Sequence, residues 1–426
     1  MSVLEELKAV GHRQGLFLSA VVVAGIFLLI PPAALADRYS ILEASLLLLA
    51  SAALVTRSDA RAVPPLAVPT ALLALLLLIS ASTLWSSASW YTLRDSLAYV
   101  ALAATAWLVV KHGGLQPVLL GVTVAGLLIL LATGALWLFD PDAVFYNRTL
   151  ALQAIYRNRN EFGAVMLQCL PAAMAFRIQV RGGAVLRGVL VVVFLGAIYS
   201  SQSKTSMIAA LLVVIAWAVF VLGRHSLKYA IAFGVLVLVG VGVAVANLPQ
   251  VLQLLGKDET FNGRSRIWAG LIDLIPESPV IGFGFFREWP GGSSQSVAVL
   301  EASGFPMIHA HNELLSWLSA IGVIGLIVVL ALYGFIYWAG WRIHRVRKIE
   351  GAIWLLLTMV MINARGLAET SETNPQGWFV FMLVGFACAR YVPVTLEKPI
   401  SKLLMLPLSR RQGSFVKREN IGTEIS

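Results

Sequence analysis

The sequence predicts an all-α polytopic membrane protein of about twelve transmembrane helices, with one large extracytoplasmic loop that carries short amphipathic helices. Three observations support this. Hydrophobic residues make up 58% of the chain and charged residues only 13%, against roughly 25% charged in a globular domain. Apolar runs long enough to cross a bilayer recur along most of its length. The 32 Lys and Arg sit mainly in short clusters between alternate runs, as the positive-inside rule requires. A net charge of +10 therefore reflects topology and does not indicate nucleic-acid binding. Cys169 and Cys388 lie within apolar runs, so neither a disulfide framework nor a cysteine metal site is indicated.

Reading for apolar stretches of roughly 17–25 residues gives spans near 15–36, 41–56, 66–86, 96–111, 115–138, 160–178, 186–202, 204–222, 229–247, 312–340, 351–367 and 377–394. The domain organisation is thus nine spans in 1–247, a large loop at 248–311, three spans in 312–394 and a basic tail at 395–426. Alternation of Lys/Arg clusters puts both termini in the cytoplasm. Lys8 and Arg13, an apolar stretch and Ala34-Leu35-Ala36 also have the form of a secretory signal, though the apolar part is near the upper limit of length. Two segments are too polar and too rich in Gly and Pro to span: 139–159 and 248–311. Both fall outside the cytoplasm, and long loops tend to carry function. Within the longer one, Arg264–Ile275 places apolar residues at 267, 268, 271, 272 and 275. That spacing is expected of a helix lying on the membrane surface.

Several ionisable residues gather at the outer ends of the spans. His309-Ala310-His311-Asn312 closes the long loop and opens the next helix. Histidine titrates near neutral pH and is a candidate general base, although a boundary histidine followed by a capping asparagine has an ordinary structural explanation. Arg264 and Arg266 follow Gly263 on the loop. Guanidinium groups fork onto phosphate oxygens, but they equally suit the solvated face of a helix. Lys204 lies in a tight hairpin, Ser201-Gln202-Ser203-Lys204-Thr205, where a lysine can simply snorkel. Arg157, Arg159 and Asn160 begin the sixth span, and Glu369 and Glu372 follow Arg365 in the last outer loop. Ionisable residues at that depth are functional candidates. Asp140-Pro141-Asp142 has the chemistry of a metal site and the composition of a turn, and the turn is preferred. No metal or other cofactor is expected.

The order of these motifs resembles the O-antigen ligase and polysaccharide polymerase superfamily of bacterial inner-membrane proteins. The matching pieces are Arg159-Asn160-Glu161-Phe162-Gly163, Ser201-Gln202-Ser203-Lys204-Thr205-Ser206, Gly256-Lys257-Asp258 with Phe261-Asn262-Gly263-Arg264, Pro279-Val280-Ile281-Gly282-Phe283-Gly284, His311-Asn312 with Leu315, Gly322 with Gly325, and Arg365-Gly366-Leu367 with Glu369. The GKDxTFNGR, SKTS and HAHN forms are most similar to the exopolysaccharide polymerase branch. The resemblance implies a GT-C-like fold, an undecaprenyl-diphosphate-linked glycan donor and a metal-independent glycosyl transfer on the periplasmic side. The acceptor would be a second carrier-linked repeat or lipid A core. Chain-length or export proteins and membrane lipid are the implied partners, and no nucleic acid. Carried over, His311 would orient or deprotonate the acceptor hydroxyl, with His309 the alternative. Arg264 and Lys204 would neutralise the leaving diphosphate, and Arg159, Asn160, Arg266, Asn312 and Glu369 would line the substrate site. Lysine stands at 204 where the resemblance leads one to expect arginine, which keeps the charge and loses the fork.

A transporter or lipid-linked-sugar flippase of about twelve spans is the competing class. It would show two repeated halves with charges near mid-membrane. Here the charges cluster at span ends and no such repeat is evident.

Overall fold

The computed structural model describes residues 3–29, 50, 68–226 except 157, 228, and 263–392 except 348 and 372. The expected spans at 41–56 and 229–247, the Ala34–Ala36 motif, the 256–262 motif and the tail from 395 lie outside the described residues. Within them the chain is helical, with one isolated antiparallel bridge between Phe145 and Leu152. Numbered in chain order, the helices are α1 Val3–Leu29, α2 Thr70–Ala81, α3 Ser89–Gly113, α4 Leu115–Phe139, α5 Arg159–Ala175, α6 Gly183–Ser200 and α7 Lys204–His225. They continue with α8 Arg264–Leu274, α9 Ser294–Ser303, α10 Glu313–Arg342, α11 Ile353–Gly366 and α12 Pro375–Tyr391. Five of them, α3, α4, α6, α7 and α10, contain stretches long and apolar enough to cross a membrane. The protein is a polytopic membrane protein.

The shorter helices owe their place to burial. Nearly every residue of α12 from Gln376 to Cys388, and of α5 from Phe162 to Ala173, is buried. A helix buried all round is wrapped by others, so α5 and α12 form the centre of the bundle. On α6, Val185, Val189 and Val192 are more than half exposed, an apolar face suited to lipid tails. Small residues let the backbones approach, as membrane helix interfaces require. A methyl on Gly121 of α4 would lie 2.6 Å from the Ala20 carbonyl of α1, and one on Gly126 would lie 2.7 Å from Cys169 Sγ of α5.

The tenth expected span forms as α10 but is broken, which hydropathy gave no reason to expect. Ile321 (φ −130°, ψ 17°) and Gly322 (φ 64°, ψ −167°) leave helical geometry. A break frees backbone groups that must be satisfied where no water reaches. The loop segment Pro279–Gly284 satisfies them. Val323 N donates to Pro279 O at 2.9 Å and Ile324 N to Val280 O at 3.3 Å, while Phe283 N and Gly284 N donate to Ser319 O and Ala320 O at 2.8 and 2.9 Å. Two glycines allow this approach: a methyl on Gly282 would lie 2.6 Å from Ala320 O, and one on Gly322 would overlap the Val280 carbonyl.

The same segment is anchored in the bundle by a side chain. Phe285 is fully buried, edge-on to Tyr99 of α3 at 4.9 Å and stacked on Trp317 of α10 at 5.8 Å. Phe285 N donates to Ser82 Oγ at 3.1 Å and Arg287 N to Asp95 Oδ2 at 2.9 Å. Beyond this anchor, α8 and α9 build a small core of their own from Ile267, Leu271, Phe286, Trp289, Val299 and Ala310. The face α8 buries is Ile267, Gly270, Leu271 and Leu274, whereas Ile272 is exposed. The expected stripe is therefore rotated, because Gly270 admits α9: a methyl there would sit 2.8 Å from Ala298 O and Ala302 Cβ.

Replacing Gly322 by Val puts a branched side chain into a left-handed backbone and onto the latch formed by Pro279–Gly284. The substitution is expected to cost about 2 kcal/mol or more and to speed amide exchange at Phe283 and Gly284. Gly334→Ala, where nothing lies within 4 Å, is expected to leave exchange at both unchanged. Hydrogen exchange in detergent micelles checks both.

Candidate active site

Four helix starts or ends converge at one end of the bundle with the loop helices. Asn312 caps α10: its Oδ1 accepts from Leu315 N at 3.0 Å, and its Nδ2 donates to Leu367 O at 3.2 Å. The next residue, Glu313, is buried, and its carboxylate accepts from Thr373 N at 2.9 Å, from Thr373 Oγ1 at 3.5 Å and from Ser371 N. The preceding residue, His311, bonds through Nδ1 to Glu369 Oε2 at 2.8 Å. Three consecutive residues thus clamp the start of α10 to the 367–373 loop. His311 adopts φ 49°, a left-handed conformation that non-glycine residues hold only where surroundings impose it, often at functional sites.

Glu369 serves two cations with its two oxygens. Oε1 accepts a charged hydrogen bond from Arg264 Nη2 at the start of α8, and Oε2 bonds His311. Only 8% of the Glu369 side chain is exposed, against 12% for Arg264 and 20% for His311. Burial alone would raise this carboxyl, but the His311 hydrogen bond and the charges of His311, Arg264 and Arg365 outweigh it and hold the group at about 2. Glu369 is therefore ionised at neutral pH and can only accept. It follows that Nδ1 of His311 carries the proton of that hydrogen bond and Nε2 is turned to other partners. Arg365, at the end of α11, donates to Thr370 O and Ser371 Oγ, so the loop is bound from both sides.

His309 packs edge-on to His311 with ring centroids 4.0 Å apart. Its Nδ1 is buried with no partner among the described residues. Burial and the adjacent His311 push it down to about 3, so it is a neutral wall of the site. Trp268 Nε1 of α8 donates to Ala310 O at 3.0 Å, which fixes α8 against this histidine segment.

The other sequence-derived residues make no hydrogen bond or ion pair with His311, Glu369 or Arg264 among the described residues. Asn158 caps α5, with Oδ1 accepting from Asn160 N at 2.9 Å and Nδ2 donating to Glu161 Oε1 at 2.8 Å. Arg159 lies over the Tyr146 ring at 5.7 Å, and Asn160 is exposed. Glu161 lies within electrostatic range of Arg365, which brings the start of α5 toward the cluster. Gly163 packs on the serine hairpin, where a methyl would sit 2.7 Å from Ser201 Oγ. Ser203 caps α7 and bonds Ser206 Oγ at 3.1 Å. Lys204 itself is exposed at the first position of α7, and among the described residues no ion pair links it to Glu369. Arg266 is exposed on α8. Arg157 and Glu372 lie outside the described residues. Asp140 caps a short turn through Ala143 N at 3.3 Å. Among the described residues no three His, Cys, Asp or Glu side chains gather as a metal centre requires.

Glu313 is the residue that sequence alone did not single out. An acidic residue in the first turn of a helix ordinarily signals the dipole, and nothing local announces that its partners lie near residue 372.

The two shifted groups set a pH dependence with one sign. Unfolded His309 binds a proton below about 6.5 and unfolded Glu369 below about 4.5, while the folded protein resists both until about 3 and about 2. The unfolded state therefore holds more protons through this window, and stability falls as pH drops. His309→Gln is expected to flatten the fall in Tm between pH 6.5 and 3 relative to wild type, as read from thermal melts across that range.

A family model described as O-antigen ligase matches residues 189–330. No curated protein matches the sequence. The matched stretch runs from within α6 to within α10 and takes in the serine hairpin, Arg264, the latch and His311. Over that stretch the chain is similar to the O-antigen ligase family, which supports the resemblance carried by the order of the remaining motifs.

Proposed function

We propose that this protein is a membrane glycosyltransferase that polymerises repeat units carried on undecaprenyl diphosphate at the outer face of the bacterial inner membrane. The observation that carries the reading is the buried triad in which Glu369 holds His311 by Nδ1 and Arg264 by its guanidinium. One side offers imidazole Nε2, the other a permanent cation, as acceptor activation and leaving-group stabilisation require.

In this mechanism an acceptor sugar hydroxyl gives its proton to His311 Nε2 as its oxygen attacks the anomeric carbon of the donor. The bond from that carbon to the diphosphate oxygen breaks, and the electron pair leaves with undecaprenyl diphosphate. Arg264 meets the departing charge with its guanidinium N–H groups. Lys204 and Arg159, from neighbouring helix starts, are assigned to the same diphosphate, and Asn160, Arg266 and Asn312 to the glycan around it. His311 is preferred to His309 as base because it has the carboxylate partner and the greater role in the clamp. No metal or nucleotide sugar takes part.

Orientation follows from charge. At the end of the bundle opposite the triad, Arg390 donates to Lys111 O at 3.0 Å and Arg177 pairs with Glu350. Arg342 and Arg345 lie at the same end of α10. Such a cationic rim belongs on the cytoplasmic side, which leaves the triad and the 248–311 loop in the periplasm. The same reading has about twelve spans in a GT-C-like arrangement and both termini cytoplasmic, with a chain-length or export protein as partner.

Purified protein in liposomes, supplied with undecaprenyl-diphosphate-linked oligosaccharide, is expected to lengthen it. His311→Ala should reduce turnover by about 10²-fold or more, and unchanged turnover would contradict the assignment. Adding lipid A core to the same vesicles reads the ligase alternative: glycan appearing on lipid A core, and not on a carrier-linked repeat, would identify a ligase.

A further inference from the structure

The two oxygens of Glu369 make it a shared group. Arg264 draws on Oε1 and His311 on Oε2, so whatever takes one cation changes what the carboxylate offers the other. We propose that Glu369 couples donor binding to acceptor activation: a diphosphate that draws Arg264 away from Oε1 leaves the carboxylate to His311 alone and makes Nε2 a stronger proton acceptor. The proposal rests on the glycosyl-transfer reading only for the identity of the diphosphate as donor.

Charge and geometry support it. Arg264 is only 12% exposed, so its pairing with Glu369 is not screened by bulk water as a surface pair would be. A diphosphate carries more charge than a carboxylate and offers oxygens for the same guanidinium fork. The exchange is local, since α8 is held by Trp268 to Ala310 O and the Glu369 loop by Arg365 and Glu313. Both side chains therefore reorient against a fixed frame. The groups that bear on His311 are few. His309 stands in its own segment, held neutral, while Arg264 comes from α8, Arg365 from α11 and Glu369 from the loop after it. Glu161 on α5 reaches Arg365, and Glu313 on α10 is taken up by Ser371 and Thr373. Among the described residues Glu369 is the group in direct contact with both Arg264 and His311.

The consequence is an order of events. With the donor absent the imidazole is a weaker base, and water or a stray hydroxyl is poorly activated. With the donor in place it is strengthened, so transfer is favoured only when a leaving group is present.

The test is a ¹⁵N-histidine NMR titration of the full chain in nanodiscs. The His311 signal is identified by its loss in His311→Gln, and inorganic pyrophosphate is the probe. Pyrophosphate is expected to raise the His311 midpoint by about one unit in wild type, a tenfold shift in protonation. Arg264→Gln should raise it similarly without pyrophosphate, and added pyrophosphate should then add little. In Glu369→Gln neither change should shift it. An unmoved midpoint in wild type with pyrophosphate bound by ³¹P NMR would overturn the coupling, as would failure of pyrophosphate to bind. A shift of full size in Glu369→Gln would overturn it too, since the effect would then pass directly through space. The titration needs no glycan transfer. A shift in protein that transfers nothing would keep the coupling and remove the reaction, whereas transfer with an unshifted imidazole would do the reverse.

Discussion

A helix that breaks inside a membrane must find partners for the backbone groups it frees, and that constraint organises this molecule. The break at Ile321–Gly322 draws in Pro279–Gly284, and four backbone hydrogen bonds join loop to helix. Phe285 then enters the aromatic core between Tyr99 and Trp317. The loop is not a flexible excursion but a structural component of the bundle, attached on both sides of its small core. Only for that reason can Arg264, at one end of it, stand at a defined distance from His311 at the other.

The second organising element is how negative charge is kept near the membrane. Two buried carboxylates lie a few residues from each other in space and are satisfied differently. Glu313 takes backbone N–H groups and a hydroxyl from Ser371 and Thr373, and its role is to position the loop. Glu369 takes a guanidinium and an imidazole, and the proposed chemistry rests on that pairing. A buried charge left without such partners would be strongly unfavourable. The loop from Leu367 to Thr373 is therefore fixed by Glu313 and Arg365 before Glu369 can act, and the left-handed His311 marks where the two requirements meet.

Much of this was legible in the sequence. The membrane class follows from hydropathy, and the motif order alone links His311, Arg264 and Glu369. The break in α10 was not legible, because Gly322 in an apolar run is indistinguishable by hydropathy from a packing glycine such as Gly325. The rotation of the α8 face escaped for a similar reason: periodicity gives an apolar stripe, and only Gly270 against α9 decides which edge of it is buried. Glu313 escaped because its partners are about sixty residues distant. Lys204 shows the converse. It sits in the motif most readily recognised, yet it is exposed at the start of α7.

The central claim is that His311, Glu369 and Arg264 act as one unit, and a double-mutant cycle on the glycan-transfer rate tests it most directly. Groups that act as a unit lose their effects together. His311→Ala combined with Glu369→Gln is predicted to transfer glycan no more slowly than His311→Ala alone. A double variant slowed by the product of the two single effects would contradict the account.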